Sequence, residues 1–545
     1  MFFPGIAECI LLVLTIICSG AAHNILVLTP ITTPSHSNVF EPLVAQLADR
    51  GHFVTYTGTD YCHQTNPTNR VGNQTTIANS SNLRLLTSPN LVRLNSQHEI
   101  DFNDRDSPFR LLFRMPGTLE KYCKAIYEDP VFHWLMNSKE RYDLIILDGF
   151  SNDCTLLLAE VFDVPFIYLN CFPPTPWLLY AIGSPLAMDH FPNPSGTRDK
   201  MDLWQRTFNV VTQVVTGLGG LFIYNWHILP TIDRVASRVL GKHNLTPILD
   251  IQSRRLSLLM TNTHFSINFQ LPTSPAVVEV GGLHLGGKLK RLPKDLVSFL
   301  DGSGDAGFII VSFGSMLRGD GLPKDFRRLF LSVFARLPQR VVWKWENQSK
   351  LGESEELIPS NVKTISWLPQ KELLSHRNAR LFISHGGLLS KQETIFNGVP
   401  AIFLPVWADQ PINAQKAEDD GYAIRLCWDE LTEEILYNAI QAILTNPRYA
   451  KRMQQVSALM QDQIDKPMGR AIYWIEYVIR HQGAPHLRNA SRDLMLPQRA
   501  LLDVMCIFFI FTFSMIYVIY RLCLFCSALY RWKDMMIGLL HKKDD

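Results

Sequence analysis

Cysteine is scarce in this 545-residue chain, with ten in all. Cys9 and Cys18 fall in an apolar N-terminal stretch, and Cys506, Cys523 and Cys526 lie in or beyond an apolar C-terminal run. Cys62, Cys123, Cys154, Cys171 and Cys427 remain for the body. So small and odd a set excludes a disulfide-stapled scaffold and leaves at least one thiol free or paired elsewhere. An excess of charge is missing too: 52 basic residues face 50 acidic ones, with no basic block along the body. That excludes the clustered Lys/Arg footprint of a nucleic-acid binder, so no nucleic-acid partner is expected. Proline (32) and glycine (31) are spread along the chain, and 47% of residues are hydrophobic, which excludes disorder.

What is present begins at the two ends. Residues 1–22 carry the apolar stretch Ile10–Cys18 followed by Ser19-Gly20-Ala21-Ala22. The run has the length of a signal-peptide core and is too short to span a bilayer. Small residues before His23 favour cleavage near Ala21 or Ala22. The stretch lacks a basic start and carries Glu8, which leaves an uncleaved anchor or a buried first helix as the alternative. At the other end Val504–Tyr520 is seventeen residues without a charge. Extended over 501–522 it reaches the ~20 residues a spanning helix needs. Arg521, Arg531, Lys533, Lys542 and Lys543 all follow it, which by the positive-inside rule makes 523–545 a cytosolic tail and the body lumenal. The chain ends HKKDD, placing Lys542 and Lys543 at the spacing of a dilysine retrieval signal. Such a signal is an address and adds no membrane affinity. The expectation is a single-pass type I protein of the endoplasmic reticulum membrane. Sequons at Asn73, Asn79, Asn244, Asn347 and Asn489 suit a lumenal body.

Removing both ends leaves about 480 residues, enough for two or three domains of ~100–200 residues. The β-branched run Asn24–Thr29, a turn with Pro30 and Pro34, the helical period Phe40–Leu47, the stop Arg50-Gly51-His52 and the run Phe53–Tyr56 make a βαβ unit. The pattern returns at Tyr142–Leu147, Leu156–Phe162 and Pro165–Leu169. It opens again at Phe308–Ser312 and continues through Val341–Trp345, Val362–Ser366, Ala379–Ser384 and Ala401–Leu404. Alternating strands and helices imply parallel sheets covered on both faces. The fold class is therefore α/β, with two Rossmann-like domains, 23–280 and 296–500, facing a cleft, plus the C-terminal transmembrane helix. The Gly-rich run Val280–Gly287 neither matches GxGxxG nor opens a helix, so 281–295 reads as the linker. Ligands of open α/β sheets sit beyond the carboxyl ends of the strands, in the cleft.

The most informative segment is Phe382-Ile-Ser-His-Gly-Gly-Leu-Leu-Ser-Lys-Gln-Glu393, continuing to Gly398-Val-Pro400 and Leu404-Pro-Val-Trp-Ala-Asp-Gln410. A strand ends at Ser384, two glycines let the backbone turn tightly, and a helix then presents free N–H groups suited to a pyrophosphate. The segment resembles the signature of the UDP-glycosyltransferase superfamily. The resemblance extends over essentially the whole chain, through Ser35-His-Ser-Asn-Val-Phe-Glu-Pro-Leu43, Val311-Ser-Phe-Gly-Ser315 and Trp367-Leu-Pro-Gln370 to the tail, and its layout is most similar to the insect membrane-bound glucosyltransferases.

The resemblance implies a GT-B type fold and inverting transfer of a hexose from a UDP-sugar, a co-substrate, with no cofactor and no metal. It implies that Trp367 stacks on uracil and Gln370 bonds the base edge. Ser315, His385, Gly387 and Ser390 contact the phosphates, Glu393 accepts from the ribose hydroxyls, and Asp409 and Gln410 hold the donor sugar. Leu389 stands where plant relatives place Asn, so one phosphate contact is missing or is supplied by backbone N–H groups. An acceptor hydroxyl needs a base working near neutral pH, the ordinary task of histidine. His36, in the loop after the first strand, matches the family's base. Its orienting carboxylate is Asp148 at a strand end, with Asp153 as the rival. The sequence Asp104-Arg-Asp106 spells D-x-D but follows no strand, and reads as chance.

The expected donor is UDP-glucose. Glucuronosyltransferases carry Arg in a Pro-Arg-Pro segment where this chain has Phe269-Gln-Leu-Pro272, and a carboxylate wants a guanidinium. Glucuronosyl transfer is the first alternative, and an inactive membrane-tethered lipophile-binding protein the second. Phe172–Pro194, rich in Pro and aromatics, suggests an apolar pocket for a small lipophilic acceptor. A homo-oligomer is compatible with this layout.

Overall fold

The computed structural model describes residues 22–541 except 59–69, 72–73, 76–80, 88–89, 91–107, 188–200, 288, 316 and 348–357. The signal segment to Ala21, the Asn73 and Asn79 sequons, Cys62, Asp104-Arg-Asp106, residues 188–194 of the acceptor segment, and Lys542 and Lys543 lie outside the described residues. The chain divides into two compact units, 1–488 and 489–545.

The first unit holds two sheets. One comprises β1 (Asn24–Leu28), β2 (Phe53–Thr57), β3 (Arg70–Val71), β4 (Gln74–Thr75), β5 (Leu83–Leu86), β6 (Leu144–Asp148), β7 (Phe166–Asn170), β8 (Leu256–Thr261) and β9 (Val277–Glu279). Their order is β3-β4-β5-β2-β1-β6-β7-β8-β9, parallel except where β4 pairs antiparallel with β3 and β5. The other comprises β10 (Phe308–Ser312), β11 (Arg340–Lys344), β12 (Val362–Ile365), β13 (Ala379–Ser384), β14 (Ala401–Phe403) and β15 (Ala423–Arg425), in the order β12-β11-β10-β13-β14-β15. This second order is that of a doubly wound nucleotide-binding sheet. Both sheets reverse their winding beside their first strand, between β1 and β6 and between β10 and β13. The α/β reading and its two Rossmann-like sheets hold.

Strand composition explains the layering. In β1, Leu26 and Leu28 enter one apolar cluster while Ile25 and Val27 enter the other, as a strand buried on both faces requires. The cluster holding Ile25 also contains Ala471, Ile472, Ile475 and Val478. These come from the helix Pro467–Arg480, which lies within the stretch read as the second domain yet packs on the first sheet. The stretch read as a linker is likewise not loose: Leu283 and His284 are buried. His284 Nε2 meets the Leu389 carbonyl at 3.2 Å, and Lys371 donates to the His284 carbonyl.

Cys123 and Cys154 form a disulfide, while Cys171 and Cys427 are free. In the second unit a single helix runs Leu502–His541. It does not stop at Leu522, because nothing before Gly538 breaks it. Its length, about 60 Å at 1.5 Å per residue, is roughly twice a bilayer's hydrocarbon thickness.

Candidate active site

His36 is not in a loop. Thr33 caps a helix spanning Pro34–Asp49, accepting from the His36 amide at 3.4 Å. Pro34 is preorganised for the first turn, so the helix begins six residues before the apolar period that announced it. His36 therefore stands in the first turn, just beyond β1, and its side chain is 12% exposed. Asp148 ends β6, the neighbouring strand, and is fully buried. Its Oδ2 lies 2.6 Å from His36 Nδ1 and its Oδ1 accepts from the Phe150 amide at 3.1 Å. Phe150 and Phe172 rings stand 5.9 and 5.8 Å from the imidazole, and the buried Cys171 sulfur lies within 4.8 Å of it.

Burial disfavours the imidazolium, but the Asp148 charge and hydrogen bond, with Cys171 adding, outweigh it and hold the His36 pKa well above the ordinary imidazole value. Asp153 sits elsewhere. Its Oδ1 accepts from Tyr168 at 2.5 Å and Tyr224 at 2.9 Å, with Gln252 donating to both hydroxyls. Burial pushes its carboxyl up. The carboxylate beside His36 is Asp148.

At the second sheet's reversal, β13 ends at Ser384 and the turn His385-Gly386-Gly387 leads into the helix Leu388–Phe396. A Cβ on Gly387 would stand 2.5 Å from His385 Nε2, and one on Gly314 would stand 2.7 Å from His385 Cε1. Both glycines are steric requirements of the half-buried imidazole. Burial, with Lys344 adding, lowers the His385 pKa to about 4, so the ring is neutral near pH 7. Ser315 follows Gly314 in the turn after β10.

Sequence reading missed Lys344. It ends β11, donates to the Gly314 carbonyl at 2.7 Å, pairs with Glu346 at 3.0 Å, and lies 5.3 Å from the centre of the Trp367 ring. A charged residue closing the apolar run Val341-Val-Trp343 was the available signal.

Trp367 leaves 57% of its surface exposed, a flat face free for stacking. Gln370 Nε2 donates to Glu393 at 2.5 Å and to Ser390 at 3.2 Å, which gathers three of the expected residues around one amide. Burial raises the Glu393 pKa to about 7. Asp409 caps the helix Gln410–Asp419 by position, and its Oδ2 accepts from Asn413 at 2.6 Å. Burial raises its pKa, while the Asn413 hydrogen bond acts the other way. Gln410 Oε1 accepts from the Val406 and Trp407 amides at 2.8 and 3.2 Å.

Leu271 lines a cavity of about 170 Å³ with Pro173, Glu279, Lys391, Asn413 and Lys416. The Phe269–Pro272 segment itself brings no cation, but two lysines reach the cavity from the helices carrying the signature and Asp409. Sequence could not show this, because both are remote from the Phe269–Pro272 segment. Lys391 Nζ donates to the Ile267 carbonyl at 2.7 Å and Lys416 pairs with Asp420 at 2.5 Å. Burial lowers the Lys391 pKa to about 7.

Three comparisons agree with this architecture. The family model described as "UDP-glucoronosyl and UDP-glucosyl transferase" matches residues 24–533. The chain is 33% identical to the UDP-glycosyltransferase UGT5 of Dactylopius coccus, over 92% of this chain and 91% of that one. It is 32% identical to the 2-hydroxyacylsphingosine 1-beta-galactosyltransferase of Homo sapiens (89% and 85%) and 32% to UDP-glucuronosyltransferase 2B19 of Macaca fascicularis (78% and 77%). Among solved structures, the glycotransferase of kitacinnamycin aligns with a TM-score of 0.51 at 17% identity, covering 84% of this chain and all of that one. The calicheamicin glycosyltransferase CalG4 aligns at 0.50 and 18%, covering 85% and 99%.

Proposed function

Because the chain belongs to the UDP-glucuronosyl and UDP-glucosyl transferase family and has the GT-B fold of a glycosyltransferase, we propose that it transfers glucose from UDP-glucose, with inversion, to a hydroxyl of a small lipophilic acceptor. The observation that carries the reading is the His36–Asp148 pair at one sheet reversal, with Nδ1 2.6 Å from Oδ2.

In this reading His36 Nε2 takes the acceptor's proton as the acceptor oxygen bonds the anomeric carbon. The bond from that carbon to the phosphate oxygen breaks, and UDP leaves with the electron pair. Asp148 fixes the ring with Nδ1–H toward it and stabilises the imidazolium. His385, Gly387, Ser390 and Ser315 receive the phosphates at the helix N-terminus, where fixed dipoles meet the developing charge. Trp367 stacks on uracil and Gln370 meets its edge. Glu393 accepts from ribose, and Asp409 with the Gln410 amide holds the sugar hydroxyls.

The relatives' names span glucosyl, galactosyl and glucuronosyl transfer, so they do not select the sugar. Glucose is favoured because Lys416 is already paired and Glu279 shares the cavity, opposing a carboxylate. Glucuronate is the second reading, favoured by one observation, the buried Lys391 ammonium on the same cavity wall. We further assign the chain to the endoplasmic reticulum membrane with a lumenal body. The support is the apolar helix within Leu502–Ile537, which is long enough to cross a bilayer and has its apolar side chains exposed. A UDP-release assay across the three donors and a panel of phenolic and steroid acceptors tests the proposal. Absence of donor-dependent UDP release with every acceptor would overturn it.

A further inference from the structure

One long apolar surface lies outside the cleft. The helix Leu203–Leu240 is 38 residues long and apolar enough by composition to cross a membrane, yet one third of its most apolar window is buried in the protein. Its inner side belongs to the first sheet's core: Tyr224, Ile228, Leu229 and Ile232 all join that cluster. Tyr224 also reaches the buried Asp153. A helix held in the core along this length cannot also span a bilayer.

Its outer side is a different surface. Trp204, Phe208, Val211, Val215, Phe222 and Trp226 recur at intervals of three, four or seven residues, and all are exposed, from 53% at Val215 to 80% at Trp204. Two π-helical turns, Val214–Leu218 and Tyr224–Ile228, interrupt the regular winding. From Leu203 to Ile232 the ionisable side chains are Arg206, His227 and the buried Tyr224 phenol, with no carboxylate. Scattered exposed apolar residues are ordinary in a soluble protein, but a continuous stripe with two tryptophans and two phenylalanines marks a contact surface.

We infer that this face lies in the interfacial layer of a phospholipid bilayer, as a helix parallel to the membrane. The inference rests on the membrane-anchored reading above. Three observations choose lipid over a protein partner. Only thirteen residues, 489–501, connect the body to the apolar helix starting at Leu502, a tether of at most ~45 Å when fully extended. The body therefore stays close to the surface of whatever membrane that helix crosses. The stripe is bounded by tryptophans, the side chains that favour the headgroup boundary. Finally, the helix is apolar on one side, lacks acidic groups over thirty residues and is fixed to a folded body on the other, the form of an interfacial anchor.

The test uses the full chain reconstituted in phosphatidylcholine vesicles, with p-benzoylphenylalanine replacing Phe208 or Phe222 in separate proteins. Leu459, exposed on another helix of the body, gives the control position, and Phe511 within Leu502–Ile537 reports the span. After irradiation, the expected result is a phospholipid adduct at Phe208 and Phe222 several-fold above that at Leu459. Lipid adducts at Phe511 but only background at Phe208 and Phe222 would overturn the inference while leaving the anchor intact. Protein–protein adducts at Phe208 would overturn it in favour of a second copy. No adduct at Phe511, with the chain released by alkaline carbonate, would instead remove the anchor reading on which it rests.

Discussion

His36 and Asp148 are 112 residues apart in the chain and 2.6 Å apart in the fold. β1 and β6 pair in parallel at the sheet's reversal, with Leu28 opposite Leu147, so the helix after one strand and the end of the other meet at a single point. The pair is a product of strand order, and it gives the first two predictions.

Replacing His36 with Ala is expected to lower kcat by about 10²–10⁴, the ordinary worth of a positioned base, while UDP binding by calorimetry stays unchanged. Near-wild-type single-turnover rates would remove His36 from the base role.

The pairing also fixes pH dependence. A base must be neutral to act, so the raised His36 pKa moves the acidic limb of kcat/KM above the ordinary imidazole value of ~6.5. Asp148→Asn removes the raising charge, and its limb is expected at lower pH with a lower plateau. The stability effect has the opposite sense. A raised folded-state pKa stabilises the protein fully below ~6.5, and that contribution fades as pH rises through the folded value. Urea denaturation at a series of pH values checks it: a wild-type advantage over Asp148→Asn that grows with pH would contradict the assignment.

For the donor, kcat/KM with one phenolic acceptor is expected to favour UDP-glucose over UDP-glucuronate. Leu271→Arg should narrow the gap, by adding a cation to a cavity that Glu279 shares. If Lys391→Met instead selectively abolishes a strong glucuronate activity, the second reading holds.

Gly387→Ala should cost about 1–3 kcal/mol through overpacking against His385 and weaken UDP binding. Because Gly387 has φ −59°, the cost is a steric clash without backbone strain. Adding His385→Ala should recover the stability and leave the UDP affinity low. Recovery of both would mean that His385 contributes nothing to the nucleotide.

Changing Lys542 and Lys543 to Ser is expected to release the protein from the endoplasmic reticulum without altering kcat. Continued confinement by imaging would place the retention signal in the body or the apolar helix.

Much of the arrangement was legible because parallel strands write continuous apolar runs, and because the signature binds through local backbone geometry that glycines must permit. The positions of Gly387 and Glu393, in the turn and helix after β13, were readable for that reason, whereas His36 was singled out only by the resemblance of the Ser35–Leu43 segment. The start of the His36 helix was obscured because its first turn is polar and held by a cap and a proline, outside the apolar period. Lys344, Lys391 and Lys416 were not readable because their surroundings are assembled from distant segments. The choice between Asp148 and Asp153 turned on tyrosines 15 and 71 residues beyond Asp153, which claim it for a separate buried network.

The return of Pro467–Arg480 to the first sheet has a practical consequence for exchanging acceptor and donor halves between related enzymes. A single crossover near residue 290 would import a foreign closing helix with the donor half, setting Ala471, Ile472, Ile475 and Val478 of one parent against the sheet of the other. Chimeras with two crossovers, the second before Pro467, keep that packing native. Acceptor preference can then be transplanted without confounding it with a misfitted core.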